Sequence, residues 1–311
     1  MEPENFTSRV TEFIFLGLSA NHRLNHVLFV VILIVCITTW LGNLTVITTV
    51  IVDSKLHSPM YFLLGNLAFV DLSVSSVTVP KLLWDLTSKH KVISFGGCVT
   101  QIFFFHFMGG AVVFLLIGMA VDRYVAIYKP LQYPTIMKQS TCVGLVLGAW
   151  LGGFIHSIIQ IPLIMSLSFC GPNILDNYYC DIPQVVRLAC TNTFVVEMLI
   201  FSNSGLLTIT IFIILIVSYT VILIKIRVHV AESKMKAVST CGAQIMLVCI
   251  HFIPCIIIYG RPFQESVADK GLSSLFTFLT PMLNPLIYTI RNTEMKNAIG
   301  RFYKRLLWLD S

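Results

Sequence analysis

The sequence predicts an all-α membrane protein: a seven-transmembrane helix bundle followed by a short amphipathic eighth helix. Three observations carry that class. First, Asp, Glu, Lys and Arg are all absent from 24–52, 92–121, 139–175, 198–224, 237–260 and 271–290, and 56–80 carries only Asp71. A bilayer core about 30 Å thick takes about 20 apolar residues of helix to cross. With no water at that depth, each run has to pair its own backbone as helix. Second, the 311 residues are 56% hydrophobic and 12% charged, against about 25% charged in an average soluble protein, and mean hydropathy is +0.83. Third, the basic residues alternate in side. With residue 1 outside, the inner segments (near 53–57, 122–138, 225–236 and from 291) hold 13 of the 21 Lys and Arg but 5 of the 15 Asp and Glu. That bias marks the cytoplasmic side. The net charge of +6 is therefore an orientation signal, and no nucleic acid is implied.

The elements follow in order. Residues 1–25 form an extracellular tail. Its start, Met1-Glu-Pro-Glu-Asn, lacks the basic, apolar, small-residue order of a cleaved signal, so the first span, near 26–52, reads as an uncleaved anchor. Asn5-Phe6-Thr7 on that tail is a glycosylation acceptor triplet. The remaining spans lie near 58–81, 95–128, 140–163, 196–226, 236–260 and 270–290. Pro254, Pro281 and Pro285 remove backbone hydrogen bonds and kink spans six and seven, as hinges or as static bends. In the cytoplasmic tail, 291–311, Met295, Ile299, Phe302, Leu306 and Leu309 make one apolar stripe beside Lys296, Arg301, Lys304 and Arg305. That pattern fits a helix lying on membrane lipid at the anionic inner leaflet. No low-complexity linker or convincing internal repeat interrupts the chain.

The nine cysteines divide by location. Cys98 opens the third span, and Cys170, Cys180 and Cys190 fall in the long outer segment after span four, all facing an oxidising compartment. Four cysteines allow three pairings, and sequence alone does not choose among them. Cys36, Cys142, Cys241, Cys249 and Cys255 read as packing residues.

A charge near the bilayer centre costs at least ~2.5–3.5 kcal/mol and demands a partner or a function. Asp71 is either a polar hub with Asn43 and Asn284, linking spans that rearrange, or a hydrogen-bonded packing residue. At the inner boundary Asp122 and Arg123 form an expected ion pair, the alternative being a snorkelling interfacial Arg; Tyr219 and Tyr288 place hydroxyls nearby or serve as interfacial anchors. His106, about two turns after Cys98, faces the outer cavity as a ligand contact or bonds a neighbouring backbone. Phe105, Gly109 and Gly110 share its side, the glycines leaving room or packing helices closely. No His, Cys or acidic residue sits beside His106 at helical spacing, so no metal site is expected there. No nucleophile–base pairing, phosphate loop or metal-ligand spacing marks an enzyme, and no cofactor is implied. One buried carboxylate without repeated halves argues against a transporter.

Several motifs in order resemble the rhodopsin-like receptors coupled to G proteins, and within them the olfactory (odorant) receptors. They are Gly42-Asn43, Ser58-Pro-Met-Tyr-Phe-Leu, Leu67-Ala-Phe-Val-Asp71, Met119-Ala-Val-Asp-Arg-Tyr-Val-Ala-Ile127, Ser218-Tyr219, Lys236-Ala-Val-Ser-Thr-Cys241 and Pro281-Met-Leu-Asn-Pro-Leu-Ile-Tyr288. They cover nearly the whole chain. The resemblance implies a plasma-membrane receptor, amino end outside and carboxyl end inside, that senses small volatile odorants and activates an olfactory stimulatory G protein. It implies disulfides Cys98–Cys180 and Cys170–Cys190, and activation through Asp71, Asp122, Arg123, Tyr124, Tyr219, Asn284, Pro285 and Tyr288. Analogy with family pocket positions adds Ile200, Asn203, Leu207, Phe252, Cys255, Tyr259, Ser274 and Thr277 to the ligand lining. A rhodopsin-like receptor for a non-odour ligand is the alternative. A light sensor needs a Lys deep in span seven, which the charge-free 271–290 lacks. The chain departs from the family pattern at Val121, Tyr128 and Gln132. Val112 replaces a Glu that many members carry, removing one carboxylate from any sodium site near Asp71.

Overall fold

A computed structural model describes residues 10–228, 233–261, 264 and 266–309. Every apolar run contains a helix. Helix α1, His22–Val52, starts ahead of the expected 26 because Asn21 caps it. The Asn21 Oδ1 accepts from the backbone N–H of Arg23 at 3.0 Å and of Leu24 at 3.5 Å. Helix α2, Pro59–Thr87, opens on a proline whose missing N–H costs nothing at that position. It continues past the expected 81 because buried Asp85 pairs with Lys81 one turn earlier. Helix α3, Phe95–Tyr128, is capped by Ser94, which accepts from the Gly97 N–H at 3.1 Å. Helix α4 runs Gln139–Met165.

Two spans contain a turn that no sequence feature announced. Helix α5 runs Phe194–Ile200, widens to a π-helical turn at Phe201–Leu206 and resumes over Leu207–Val228. Helix α6 is Ser233–Tyr259. Helix α7 runs Asp269–Ser274, a π-helical turn Leu275–Leu279 and Thr280–Arg291. Each π turn inserts one extra residue and so shifts which side chains face inward. Helix α8, Thr293–Leu309, closes the chain and buries Met295 and Ala298 on the bundle. Among the described residues α1 to α5 are long and apolar enough to cross a membrane, and α6 contributes the apolar stretch Gln244–Tyr259. Isoleucines, valines and leucines left exposed on α1, α4 and α5 are what a lipid-facing surface requires.

Helix α3 packs against α2, α4 and α5. Its seam with α4 is built from glycine. A Cβ on Gly110 would stand 2.8 Å from the Gly153 Cα, and one on Gly153 would stand 2.5 Å from the Phe107 carbonyl oxygen. Nothing lies within 4 Å of the Cβ position of Gly109. The two glycines therefore divide the roles left open by the sequence: Gly110 brings helices together and Gly109 leaves space.

The all-α expectation needs one amendment. Strand β1 (Glu12–Phe15) pairs antiparallel with β2 (Val92–Ser94) and parallel with β3 (Ile174–Leu175) at the outer end. Alternation along β1 buries Phe13 and Phe15, which join Ile102, Ile164, Leu175, Ile182 and Val186 in an outer apolar cluster. The segment read as a tail is thus part of the roof. Cys98–Cys180 and Cys170–Cys190 are both bonded, with Cα separations of 5.5 and 5.7 Å. Asn5 lies outside the described residues.

Candidate functional site

The outer cavity sits beneath that roof. Its volume is about 70 Å³, and α3 supplies Phe105, His106, Gly109, Gly110, Val113 and Phe114. Leu207, Cys255 and Tyr259 also line it, so these expected contacts converge on one space. The other expected contacts point elsewhere. Ile200 is buried in the outer cluster beside Val196 and Ile182. Asn203 donates from Nδ2 to the His156 carbonyl at 3.1 Å, tying α5 to α4. Phe252 is fully buried and stacks on Phe212 at 5.9 Å. Thr277 and Ser274 meet the Tyr178 hydroxyl at 2.9 and 3.5 Å, holding the roof to α7. The π turns explain the slippage on α5 and α7: Ser204 and Phe276 line the cavity in place of their neighbours.

Asp181 is the residue that sequence reading missed. Counted there only among the acids on the outer side, it is 2% exposed. The Cys98–Cys180 bridge pins its neighbour to α3, and the Cys180 N–H donates to Gln101 Oε1 at 2.8 Å. Asp181 then reaches into the bundle. Its carboxylate accepts from the Tyr259 hydroxyl at 3.0 and 3.1 Å, from the Tyr179 hydroxyl at 3.2 Å and from the Ile182 N–H at 2.8 Å. His106 Nε2 lies 3.3 Å away. His106 therefore does not bond a neighbouring backbone; it joins α3 to the roof while lining the cavity. A buried carboxylate is tolerable only when its lone pairs are matched, and here the matching groups come from α3, α6 and the loop. Burial pushes the Tyr178 and Tyr179 hydroxyls above the ordinary tyrosine range, keeping both as neutral donors. Among the described residues no group of His, Cys, Asp and Glu is arranged to hold a metal.

The inner half is assembled differently. Asn284 Nδ2 donates to Asp71 Oδ2 at 2.6 Å. Asn43, expected in the same hub, instead donates to the Thr39 and Pro281 carbonyls at 2.9 and 3.0 Å. Pro285 packs on Gly42, where a Cβ would meet its ring at 3.0 Å. The expected Asp122–Arg123 ion pair is not formed: Asp122 accepts from the Tyr133 hydroxyl at 2.7 Å, and Arg123 Nε has no hydrogen-bond partner. Burial, and then that hydrogen bond, raise the Tyr133 hydroxyl above its ordinary range. Tyr219 and Tyr288 are buried with unpaired hydroxyls. Tyr124 turns outward and stacks on Tyr128 at 4.7 Å, away from the inner cleft. That cleft, about 470 Å³, is lined by Asp122, Arg123 and Tyr133 with Tyr61, Asn292 and Glu294. Tyr61 reaches Asn292 Oδ1 at 3.0 Å and Glu294 Oε2 at 2.8 Å. Arg301, expected on the lipid-facing basic side of α8, instead binds Asp53 at 2.6 and 2.8 Å, holding that carboxyl below its ordinary range.

A helix bundle with lipid-facing walls, a roofed outer cavity and an arginine-bearing inner cleft defines a membrane receptor. The family model described as "Olfactory receptor" matches residues 29–305. Human relatives span nearly the whole chain: Olfactory receptor 4D1 is 54% identical over 99% of both sequences. Olfactory receptor 4K14 is 50% identical over 98% of both, and Olfactory receptor 4N5 is 52% identical over 97% of both. The chain belongs to the olfactory receptor family. It is a multi-pass plasma-membrane receptor of the G-protein-coupled kind, with a seven-helix bundle and no enzymatic role.

Proposed function

We propose that this receptor takes a small, mostly hydrophobic volatile ligand in the cavity beneath Asp181 and, in response, engages an olfactory stimulatory G protein at the Arg123 cleft. The observation that carries this reading is the Asp181 junction, where one carboxylate holds α6 through Tyr259 and α3 through His106. A molecule lodged under it contacts both helices at once. A ligand shifts the receptor only through different affinity for its two states, and a junction between helices is where such a difference arises. On the inner side, the unpaired Tyr219 and Tyr288 hydroxyls and Arg123 Nε are groups that a second arrangement satisfies. In this reading 26–290 is the membrane domain, 1–25 is extracellular with Asn5 glycosylated, and 291–311 is cytoplasmic. A cyclic-nucleotide reporter in cells with surface-verified receptor tests it: odorants raise the signal, and Arg123→Ala abolishes the rise while surface staining holds. An Arg123→Ala receptor that signals normally would refute the coupling assignment.

A further inference from the structure

A groove opens on the outer surface of the bundle where α1 ends and α2 and α4 begin. Helix α2 packs on both α1 and α4, and the groove beside its first turn has a volume of about 530 Å³. Ile51 of α1 and Phe62 of α2 line it and are exposed, at 68% and 39%. Leu56 and Met137 line it from beneath and are buried. Apolar side chains left open on a membrane-spanning surface face hydrocarbon. The rim is of another kind, supplied by His57, Ser58 and Gln139. The His57 ring is folded against the end of α1, its Nε2–H donating to the Ile51 carbonyl at 3.2 Å. Ser58 and Lys138 occupy the N-cap positions of α2 and α4, helices of 29 and 27 residues, and neither side chain bonds the first turn. First-turn backbone N–H groups of both helices therefore stay open at the rim.

Charge narrows what fits. Lys55 adjoins Leu56, Lys138 lies between Met137 and Gln139, and both lysines are exposed. Among the described residues neither forms an ion pair. No Asp or Glu lines the groove, and Asp53, the acid of the α1–α2 loop, is taken by Arg301. A free phosphate would leave the apolar walls unused, and a sterol has no charge to set against the lysines. We propose that the groove holds one anionic phospholipid of the inner leaflet, of the phosphatidylserine class. An acyl chain lies along Ile51 and Phe62, while the headgroup oxygens meet Lys55, Lys138 and the open first-turn N–H groups. Anionic lipids concentrate in the cytoplasmic leaflet. Placing the groove there rests on the orientation proposed above.

The test uses the full-length receptor in phosphatidylcholine nanodiscs carrying a trace of phosphatidylserine with a photoreactive acyl chain. The label is located by peptide mass mapping, and a photoreactive phosphatidylcholine is run in parallel. The serine lipid is expected to label the peptides holding Ile51, Phe62 and Met137 about tenfold above the lipid-facing peptides of α5. The choline lipid should label all of them evenly. Unlabelled phosphatidylserine should suppress the groove label, and cholesterol should not. The double substitution Lys55→Gln and Lys138→Gln is expected to bring the groove label down to the α5 level. Gln139→Glu, which sets a carboxylate at the rim, should lower it as well, and it serves if the double variant fails to fold. An amino-terminal tag stained on intact cells reports the orientation separately. With that tag outside, even labelling by the serine lipid overturns the lipid site and leaves the receptor reading intact. So does displacement by cholesterol, or a groove label that survives the substitutions. A tag reached only after permeabilisation overturns the inner-leaflet placement and the orientation together.

Discussion

The two ends of this receptor handle buried polar groups in opposite ways. At the outer end, Asp181 has donors on both oxygens, two disulfides tie the loops, and a three-stranded sheet covers the seam. At the inner end, the Tyr219 and Tyr288 hydroxyls and Arg123 Nε stand unpaired, beside an open cleft of about 470 Å³. An unpaired buried group costs about 1–3 kcal/mol. At the inner end those costs fall on the groups lining the cleft, whereas at the outer end unpaired atoms such as Asn177 Nδ2 and Gln184 Oε1 stand beside a junction whose own carboxylate is fully matched. A switch needs that asymmetry: a braced sensor and a poised effector face.

The contrast is open to experiment, and the largest effect is expected at the brace. Cys98→Ser opens a bridge spanning 82 residues of chain. Losing such a bond costs about 2–5 kcal/mol, and the variant is expected to be retained inside the cell; normal surface staining would count against the braced roof. Next is Asp181→Ala, which strips the partner from His106, Tyr179 and Tyr259 at about 1–3 kcal/mol for each orphaned group. Its surface level should fall well below that of Asp181→Asn, and equal levels would show the junction to be energetically idle. Tyr259→Phe removes one of those donors alone and is expected to weaken ligand potency by about tenfold or less with surface level held. The mirror substitution at the inner end, Tyr288→Phe, deletes a hydroxyl that has no partner. Receptor abundance should stay level or rise while the maximal response drops. A fall in abundance would mean that the Tyr288 hydroxyl is already satisfied. The smallest effect belongs to Asp53→Asn. Arg301 holds the Asp53 carboxyl below its ordinary range, so the tether is complete above that range and is lost only as pH falls through the lowered value. Between neutral and mildly acid pH, the spectrum of a probe on α8 should not move.

What the sequence disclosed divides along similar physical lines. Charge-free runs located the long apolar helices α1 to α5 and the apolar stretch of α6, because the bilayer imposes length and polarity locally. His106, Gly109 and Gly110 were legible as cavity residues because they follow Cys98 along one regular helix. Asp181 was not, since its partners lie 75 and 78 residues away, and nothing local distinguishes it from a solvated loop acid. Asn203 came from family pocket positions, and nothing in the sequence marks the π turn at Phe201–Leu206 in which Ser204 lines the cavity instead. His156, which also lines the cavity, escaped notice because α4 was read as a span and not as a wall. Its opposition to Gln160 one turn on was nonetheless available in the sequence, and asking what each intramembrane polar residue bonds would have found it.

The glycine seam between α3 and α4 has a consequence for how the receptor moves. Where two backbones touch with no side chain between them, there is no rotamer to flip and no ridge to climb into the next groove. That pair is expected to act as a stator. Displacement then falls to the helices around that pair, where widened turns and interior prolines interrupt α5, α6 and α7.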